Sequence, residues 1–315
     1  MKVPIFVWTV KADYTKGRIP VDDTLGAMSK VFFKANDGLE YQTYNAEETK
    51  HMADDVYRPQ GIDFQPWGVA RGWNLEIARK EGHIAGEHAA AAQRPYILDL
   101  EPYKESYWQG IPGTAHAFCD GYAETAEGQR LDLCPDARNP GLLLQEWVAE
   151  PVVDRIHPQL YATAYGESLD LWIRKGVKPF LDLGVSLSRI FPVLAGWYQQ
   201  PGEPSISPDD IERDIKYLAS MAFPGCSIWR RGSISPEVVE RILAMPDPFL
   251  PAPPVTPPPT TTDPFKTRLV PIGKPETAVV SEMPWFDWSD VPEERIMTTV
   301  QTITTKQRVR IVVDS

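Results

Sequence analysis

Short apolar runs separated by segments with helical periodicity recur along the first 245 residues, and this alternation constrains the fold more than any other feature. Runs of about four to eight residues bounded by turn residues are typical of strands buried on both faces. The runs lie at Pro4–Val10, Lys30–Ala35, Trp67–Trp73, Tyr96–Leu100, Gly141–Trp147, Gln159–Ala162, Phe191–Trp197 and Cys226–Trp229. Eight such strands alternating with helices predict an α/β fold, a closed (β/α)8 barrel of the TIM type. The alternative is an open doubly wound sheet, which no glycine-rich phosphate-binding loop supports.

Three of the intervening segments carry helix start signals. Asn74–Gly82 begins with an Asn in the N-cap position and ends at a glycine. Ser207–Ala222 and Ser235–Ala244 each begin with Ser-Pro, followed by acidic residues in the first turn. A serine side chain caps free N–H groups, and carboxylates interact favourably with the positive end of a helix. All three segments are therefore predicted to be helices around the barrel.

Proline and threonine dominate Met245–Pro264, which reads MPDPFLPAPPVTPPPTTTDP. Proline fixes φ and lacks a backbone N–H, so such a stretch favours extended polyproline II and acts as a semi-rigid spacer. The sequence therefore predicts a barrel over residues 1–248, a Pro/Thr-rich linker over 249–264 and a further segment over 265–315.

The segment after the linker is rich in β-branched residues. Thr298–Thr305 and Gln307–Val313 contain mostly Thr, Val and Ile, which predicts a small β-rich structure. So short a segment cannot build a generous core alone. We expect it to anchor on the barrel, on a second copy of itself or on a larger assembly.

The formal net charge of the 315 residues is -11 at pH 7. Non-specific nucleic-acid binding depends on Lys and Arg that neutralise phosphates, so nucleic acid is not an expected partner. No run of 18 apolar residues is present, so we expect no membrane insertion. The N-terminus MKVPIFVWTV lacks the features of a signal peptide and is interpreted as the first strand. Release from a cell would then occur by lysis or within a particle.

Cysteines and histidines form no metal-binding or disulfide pattern. Cys119, Cys134 and Cys226 show no CxxC spacing, and the five histidines form no HExxH motif. We therefore expect buried free thiols and neither metal nor cofactor. A disulfide between Cys119 and Cys134 is the alternative.

The run YILDLEPY places Asp99 and Glu101 two residues apart at the end of a predicted strand. Alternate residues share a face of a strand, and polar groups at C-terminal strand ends of a barrel point into the active-site mouth. Two carboxyl groups held close in a poorly hydrated cleft repel each other, so one is expected to keep its proton near neutral pH. Glycoside cleavage needs such a proton donor and a second group that stabilises the oxocarbenium-like centre. The alternative is a pair of solvated rim carboxylates.

Two strand motifs resemble those of glycoside hydrolase family 25, the lysozyme-type muramidases. VFFKANDG at Val31–Gly38 is similar to that family's FIKATEG-type second strand, and YILDLEPY to its LDVE-type fourth strand. The aromatic ends of QLYATAY and CSIWRRG also fit, and the resemblance spans most of residues 1–245. It implies a β/α barrel that acts on peptidoglycan or a related N-acetylated glycan, with Glu101 as general acid. Asp99 would orient or polarise the acetamido group of the substrate in a substrate-assisted reaction.

Two positions depart from that family's pattern. Its first strand carries an Asp in a GxDxS-type motif, whereas Trp8 stands near that place here and Asp13 lies further along the chain. Its last strand offers another acid, whereas this one continues as Trp229–Arg231. A barrel that binds sugar without cleaving it is therefore the alternative to an enzyme.

Aromatic side chains near the predicted strand ends form a second set of candidates. Flat rings stack on the apolar faces of sugars, and their N–H or O–H groups form hydrogen bonds at the edge. The set consists of Trp8, Trp73, Trp147, Tyr161, Trp197, Tyr198 and Trp229. Core packing is the alternative for any single member, but we expect at least two to line a cleft.

Three cations and two acids complete the candidates. Lys34, Arg71 and Arg230 are predicted to bind carboxylate or phosphate groups of a glycan, with ion pairs to neighbouring acids as the alternative. Glu146 and Glu150 are backup catalytic acids, with an ordinary helix start as the alternative. The predicted substrate-binding residues are Trp8, Lys34, Arg71, Trp73, Tyr161, Trp197, Trp229 and Arg230.

These features predict a glycosidase-like module that binds, and as an enzyme hydrolyses, host cell-wall glycan. The N-terminus, the spacer and the small β-rich segment are typical of a barrel displayed from a phage particle. We therefore expect a minor tail protein of the virion, made in the host cytoplasm, whose C-terminal segment contacts other virion proteins. The alternatives are a catalytically inactive structural or receptor-binding tail protein and a free endolysin.

Overall fold

The computed structural model describes residues 5–7, 30–42, 44–101, 107–138, 143–197, 205–249, 268–271 and 309–312. The chain divides into two units, Met1–Pro251 and Ala252–Ser315. In the second unit, Arg268–Pro271 pairs antiparallel with Val309–Val312. The latter strand lies within the predicted segment Gln307–Val313, whereas Thr298–Thr305 lies outside the described residues.

Parallel strands in the first unit close into a barrel. They are β1 Ile5–Val7, β2 Lys30–Asp37, β3 Asp63–Val69, β4 Tyr96–Leu100, β5 Leu131–Pro135, β6 in two parts at Val153–Ile156 and Gln159–Leu160, β7 Val193–Ala195 and β8 Ser227–Trp229. Each strand pairs in parallel with the next, and β1 pairs with β8, which closes the sheet. The predicted (β/α)8 barrel is confirmed, and the open-sheet alternative is wrong.

The sixth strand changes partner half-way along its length. Val153–Ile156 pairs with β5, whereas Gln159–Leu160 pairs with β7. Single bridges, Asp136 to Gln159 and Ile156 to Ile190, join the strands across this break. Outside the barrel, the short strand Tyr41–Gln42 pairs antiparallel with the end of β2.

The described helices surround the barrel. They are α1 Ala46–His51, α2 Leu75–Ala92, α3 Thr114–Thr125, α4 Leu144–Ala149, α5 Leu169–Gly176, α6 Lys178–Asp182, α7 Pro208–Ser220 and α8 Pro236–Ala244. α1 continues through a π-helical turn at Met52–Tyr57 into a 3-10 turn at Arg58–Gln60, and further 3-10 turns lie at Thr163–Tyr165, Leu187–Arg189 and Arg231–Ser233. Asn74, Ser207 and Ser235 cap α2, α7 and α8 as predicted, each accepting a hydrogen bond from a backbone N–H of the first turn. None of these helices has the length and apolar character needed to cross a membrane.

The predicted end of α2 at Gly82 is wrong, because the helix continues for ten more residues to Ala92. A Cβ added at Gly82 would lie 2.0 Å from the carbonyl oxygen of Phe118 in α3. A Cβ added at Gly121 of α3 would lie equally close to the carbonyl oxygen of Arg79. These glycines therefore allow the two helices to approach each other at backbone distance.

The predicted fifth strand is also wrong. Gly141–Trp147 contributes to helix α4, and β5 lies earlier, at Leu131–Pro135. Trp147 is buried outside the barrel, with its ring centroid 4.9 Å from that of Trp108. β5 contains a buried acid, Asp132, which accepts hydrogen bonds from Gln65 and a backbone N–H. Because β5 carries an acid inside the barrel, it is not an apolar run, and the pattern of apolar runs does not predict it.

Other boundaries moved by smaller amounts. β3 occupies Asp63–Val69 rather than Trp67–Trp73, so Arg71 and Trp73 lie in the loop after it. Cys119, Cys134 and Cys226 are buried free thiols as expected, and the proposed disulfide between the first two is absent.

Candidate active site

The two acids of YILDLEPY lie at the C-terminal end of β4. Asp99 belongs to the strand and pairs in register with Val69 of β3 and Cys134 of β5. Glu101 follows the last strand residue. Asp99 is only 3% exposed, whereas Glu101 is partly buried. Because the two residues are separated by one position, their side chains lie on the same face of the chain.

A single amide group from the opposite side of β5 contacts both acids. Nε2 of Gln159, in the second part of β6, lies 2.8 Å from Oδ1 of Asp99 and 2.9 Å from Oε1 of Glu101. It also lies 3.8 Å from Sγ of Cys134 in β5. Side chains of β4 and β6 can meet across the intervening strand β5 on the inner face of the barrel. The structure thus brings the two acids together inside the barrel rather than against the surrounding helices.

Burial and mutual repulsion favour the protonated forms of this pair. Burial raises the pKa of Glu101 to about 7, with hydrogen bonding from Gln159 opposing the rise and the charge of Asp136 adding to it. Burial also raises the pKa of Asp99 well above its ordinary value, and repulsion from Glu101 raises it further. A carboxyl group that titrates near neutral pH can both donate and accept a proton under those conditions.

A third acid, which the sequence analysis missed, lies at the end of β5. Asp136 is buried and accepts from Nε and Nη2 of Arg138 and from the backbone N–H of the same residue. Its backbone bridges to Gln159 in the sheet. The alternating pattern of LDLCPD carried the signal, because Asp132, Cys134 and Asp136 are spaced like residues on one face of a strand.

The carboxylate of Asp37 forms ion pairs with two of the cationic side chains that were predicted to bind glycan. Nζ of Lys34 lies 2.8 Å from Oδ2 of Asp37, and Nη2 of Arg71 lies 2.7 Å from Oδ1 of the same carboxylate. Burial alone would raise the pKa of Asp37, but the hydrogen bonds and charges of the two cations outweigh it and lower the pKa. Lys34 also lies 5.3 Å from the ring centroid of Trp67. Both cations thus use the ion-pair alternative within this cluster.

The predicted aromatic residues occupy three kinds of environment. Tyr161 is buried and packs edge-on against the partly buried Trp197, with centroids 4.9 Å apart. Trp229 packs in the same way against Trp67, at 5.1 Å. Trp73 is 42% exposed. Trp147, in contrast, is buried outside the barrel. Trp8 and Tyr198 lie outside the described residues.

The charges of the two acids act on two tyrosines. Burial raises the pKa of Tyr161, with further contributions from Cys134 and Glu101. Burial also raises the pKa of Tyr107, a residue absent from the sequence candidates, and the charges of Glu101 and Asp99 add to it. These two phenols therefore stay protonated and retain O–H donors beside the acids.

The remaining candidates make contacts of other kinds. Oε2 of Glu146 accepts a hydrogen bond from the backbone N–H of Gly113 at 3.0 Å, and Glu150 pairs with His116. Both contacts join α3 to α4 and favour a structural role for these acids. The backbone of Arg230 closes a turn with Ser233 after β8. Among the described residues, no cluster of three or more His, Cys, Asp or Glu side chains has the arrangement of a metal site.

Comparison with known proteins identifies the fold. No protein-family model matches the sequence, and no curated protein matches it. The chitinase-like agglutinin RobpsCRA from Robinia pseudoacacia matches with a TM-score of 0.53 at 11% identity, over 76% of this chain and 98% of that one. Concanavalin B matches with a TM-score of 0.50 at 10% identity, over 77% and 98%. The chain shares its barrel fold with these two proteins.

A GH18 chitinase from Pseudoalteromonas aurantia also matches, with a TM-score of 0.46 at 11% identity, over 77% of this chain and 99% of that one. At these identities the likeness concerns the fold. This barrel fold is the one predicted from the strand pattern.

Proposed function

We propose that the barrel is a glycosidase-like module that binds N-acetylated glycan, such as peptidoglycan, and cleaves it. The observation that carries this proposal is the buried pair of Asp99 and Glu101, in which Glu101 has a pKa of about 7. A glycosidase needs an acid that is still protonated at its working pH. A solvated rim carboxylate would have lost its proton at that pH.

In the proposed reaction Glu101 donates its proton to the glycosidic oxygen as the bond to the anomeric carbon breaks. The carbonyl oxygen of the substrate's own acetamido group forms a bond to that carbon, while the carboxyl group of Asp99 orients the amide through hydrogen bonding. Water then attacks the anomeric carbon, the bond between that carbon and the acetamido oxygen breaks, and the Glu101 carboxylate accepts the water's proton. This substrate-assisted route uses one acid and one orienting carboxyl group rather than an acid and a nucleophile.

The test is release of reducing ends from peptidoglycan and from N-acetylglucosamine oligomers by the full chain. Glu101→Gln is expected to reduce release by at least about a hundredfold, because it removes the proton donor. Glu150→Gln is the matched control, since Glu150 pairs with His116 away from the acids. Absence of reducing ends with the unsubstituted chain on both substrates would contradict the enzymatic proposal.

Binding without cleavage is the second candidate. The observation that favours it is the match to an agglutinin, described as chitinase-like, with a TM-score of 0.53. In that case the oligomers bind equally to the unsubstituted chain and to Glu101→Gln, and neither releases reducing ends. Isothermal titration calorimetry beside the reducing-end assay separates the two candidates.

For the cellular role we propose a minor tail protein of a phage virion, with the segment after the Pro/Thr-rich linker contacting other virion proteins. The support is the composition of residues 245–264 and the β-rich character of residues 265–315. Immunogold labelling of particles with an antibody against the full chain tests this role. Unlabelled particles would contradict it, and protein found free in lysates would favour an endolysin.

A further inference from the structure

We propose that Gln159 is a positioning residue that holds Asp99 and Glu101 side by side by donating one amide hydrogen to each. This inference rests on the proposed function, in which the two acids are the reaction centre. Gln159 contacts the acids rather than the reacting atoms, so its effect on chemistry passes through them.

The geometry of the amide supports this role. The two N–H···O contacts, 2.8 Å and 2.9 Å between heavy atoms, have ordinary hydrogen-bond lengths and end on different carboxyl groups. A primary amide has two N–H donors on one nitrogen, so it can serve both acids at once. Gln159 is 2% exposed, which keeps water from replacing either contact.

The amide oxygen of Gln159 lies in a different environment from the amide nitrogen. Among the described residues, the buried Oε1 of Gln159 has no hydrogen-bond partner. Leaving a buried acceptor without a partner is unfavourable. The orientation is therefore held by the N–H groups and the acids they contact.

The consequence concerns proton affinity. Donors stabilise the ionised form of a carboxyl group, whereas burial and repulsion between the acids favour the protonated form. Gln159 opposes the rise that burial imposes on Glu101. Without it, the pair would hold its proton to higher pH, and Glu101 would accept a proton from water too readily to release it to the next substrate.

The test is a pH titration of the carboxyl carbon signals by NMR in the full chain, with 13C-labelled Glu and Asp. The Glu101 signal is assigned by its loss in Glu101→Gln. Gln159→Met keeps the length of the side chain but has no N–H, so the apparent pKa of the pair is expected to rise by about one unit or more, a tenfold gain in proton affinity. Gln159→Glu also keeps the shape and adds a third carboxyl group, and the same direction is expected.

Gln65→Met is the matched control. Gln65 is a buried glutamine of β3 whose Nε2 donates to Asp132 at 3.0 Å, so its loss perturbs the barrel interior without touching the pair. Folding of every variant is checked by circular dichroism. An unchanged titration in the folded Gln159 variants, or an equal shift in Gln65→Met, would overturn the proposal.

The titration needs no activity, which separates this inference from the proposed function. If the titration shifts as expected but the unsubstituted chain releases no reducing ends, Gln159 positions the acids of a barrel that does not cleave. If the chain cleaves glycan and the titration is unchanged, the reaction stands and the positioning role fails. In an active chain, Gln159→Met is expected to move the alkaline limb of the kcat/KM profile to higher pH, since that limb reports loss of the Glu101 proton.

Discussion

Arg138 binds both carboxylate oxygens of Asp136, with Nε 3.1 Å from each oxygen and Nη2 2.7 Å from Oδ2. The side chain of Asp136 is 1% exposed and that of Arg138 is 36% exposed. The pair lies at the end of β5 and acts on Glu101 in opposite senses, since the acid raises its pKa and the guanidinium lowers it. Asp136 and Arg138 thus form an ion pair beside the two acids.

Arg138→Met is expected to lower the free energy of unfolding by about 1–3 kcal/mol, because it takes the charged partner from a buried carboxylate. It should also raise the apparent pKa of Glu101. Urea unfolding and the carboxyl titration measure the two effects. Arg79→Met is the control, since the pair of Arg79 and Glu124 lies on an exposed surface and is expected to contribute less than about 1 kcal/mol. Equal losses in both variants would contradict the special role of Arg138.

The pH dependence of stability should differ between the unsubstituted chain and Glu101→Gln. The pKa of Glu101 is about 7 in the folded chain against an ordinary value of 4.5. Between these values the folded state holds a proton that the unfolded state has released, so stability falls as pH rises and levels off above pH 7. The glutamine variant lacks this penalty. Its relative free energy of unfolding should grow between pH 4.5 and 7 by about 3 kcal/mol at most. Parallel curves in urea unfolding would show that Glu101 is not held protonated.

Asp37→Asn is expected to destabilise the barrel by about 1–3 kcal/mol at neutral pH, since it removes the shared partner of Lys34 and Arg71. The folded pKa of Asp37 is lowered, so its contribution is present above the ordinary value of 3.8 and is lost as pH falls through the folded pKa. The free energy of unfolding, measured at pH 7 and at a series of lower pH values, tests both expectations. Asp54→Asn is the control, because Asp54 also pairs with two cations, but those of Lys50 and Arg58 are exposed.

Gly82→Ala should destabilise the protein even though alanine is the better helix former by about 1 kcal/mol. The added Cβ would lie 2.0 Å from the carbonyl oxygen of Phe118, so α2 and α3 must move apart. We expect a net loss of about 1–3 kcal/mol in thermal or urea unfolding. At Gly225 the nearest atom to an added Cβ, on Phe191, is 3.4 Å away, and Gly225→Ala should be nearly neutral. A stabilised Gly82→Ala would mean that the helices are not in backbone contact.

Two tryptophans should separate glycan binding from packing. Trp73 is 42% exposed and follows β3, so Trp73→Ala should leave stability within about 0.5 kcal/mol. If its ring stacks on sugar as predicted, affinity for N-acetylglucosamine oligomers should fall about two- to tenfold. Trp147→Ala should instead cost about 3–5 kcal/mol in stability, because that ring is fully buried. Unchanged affinity in Trp73→Ala would remove this residue from the proposed binding set.

Local sequence signals predicted much of the framework. Ser207 and Ser235 cap their helices as expected, because an N-cap depends on the few residues around it. The carboxyl pair was accessible for a similar reason, since the spacing of Asp99 and Glu101 places them on one face of one strand. Gly82 was misread because its role depends on α3, more than thirty residues away.

The rest of the site depends on pairing between distant strands. The alternation in LDLCPD places Asp136 on one face of a strand, but its position beside Gln159 arises from the register of β5 with β6. The apolar run at Gly141–Trp147 obscured β5 because its hydrophobic residues cover the outside of the barrel. In β5 itself, Asp132 is stabilised by partners from other strands, which no local pattern reveals.

Because the sixth strand is broken, the contacts between Gln159 and the acid pair depend on the position of β7. Gln159 sits on the half-strand whose ladder is formed with Val193 and Leu194, whereas the acids extend from β4. A small shift of the β6–β7 strand pair relative to β4 would lengthen both amide contacts without unfolding either part of the barrel. Substitutions beneath β7 are thus a route by which changes distant from the carboxyl groups alter their acidity.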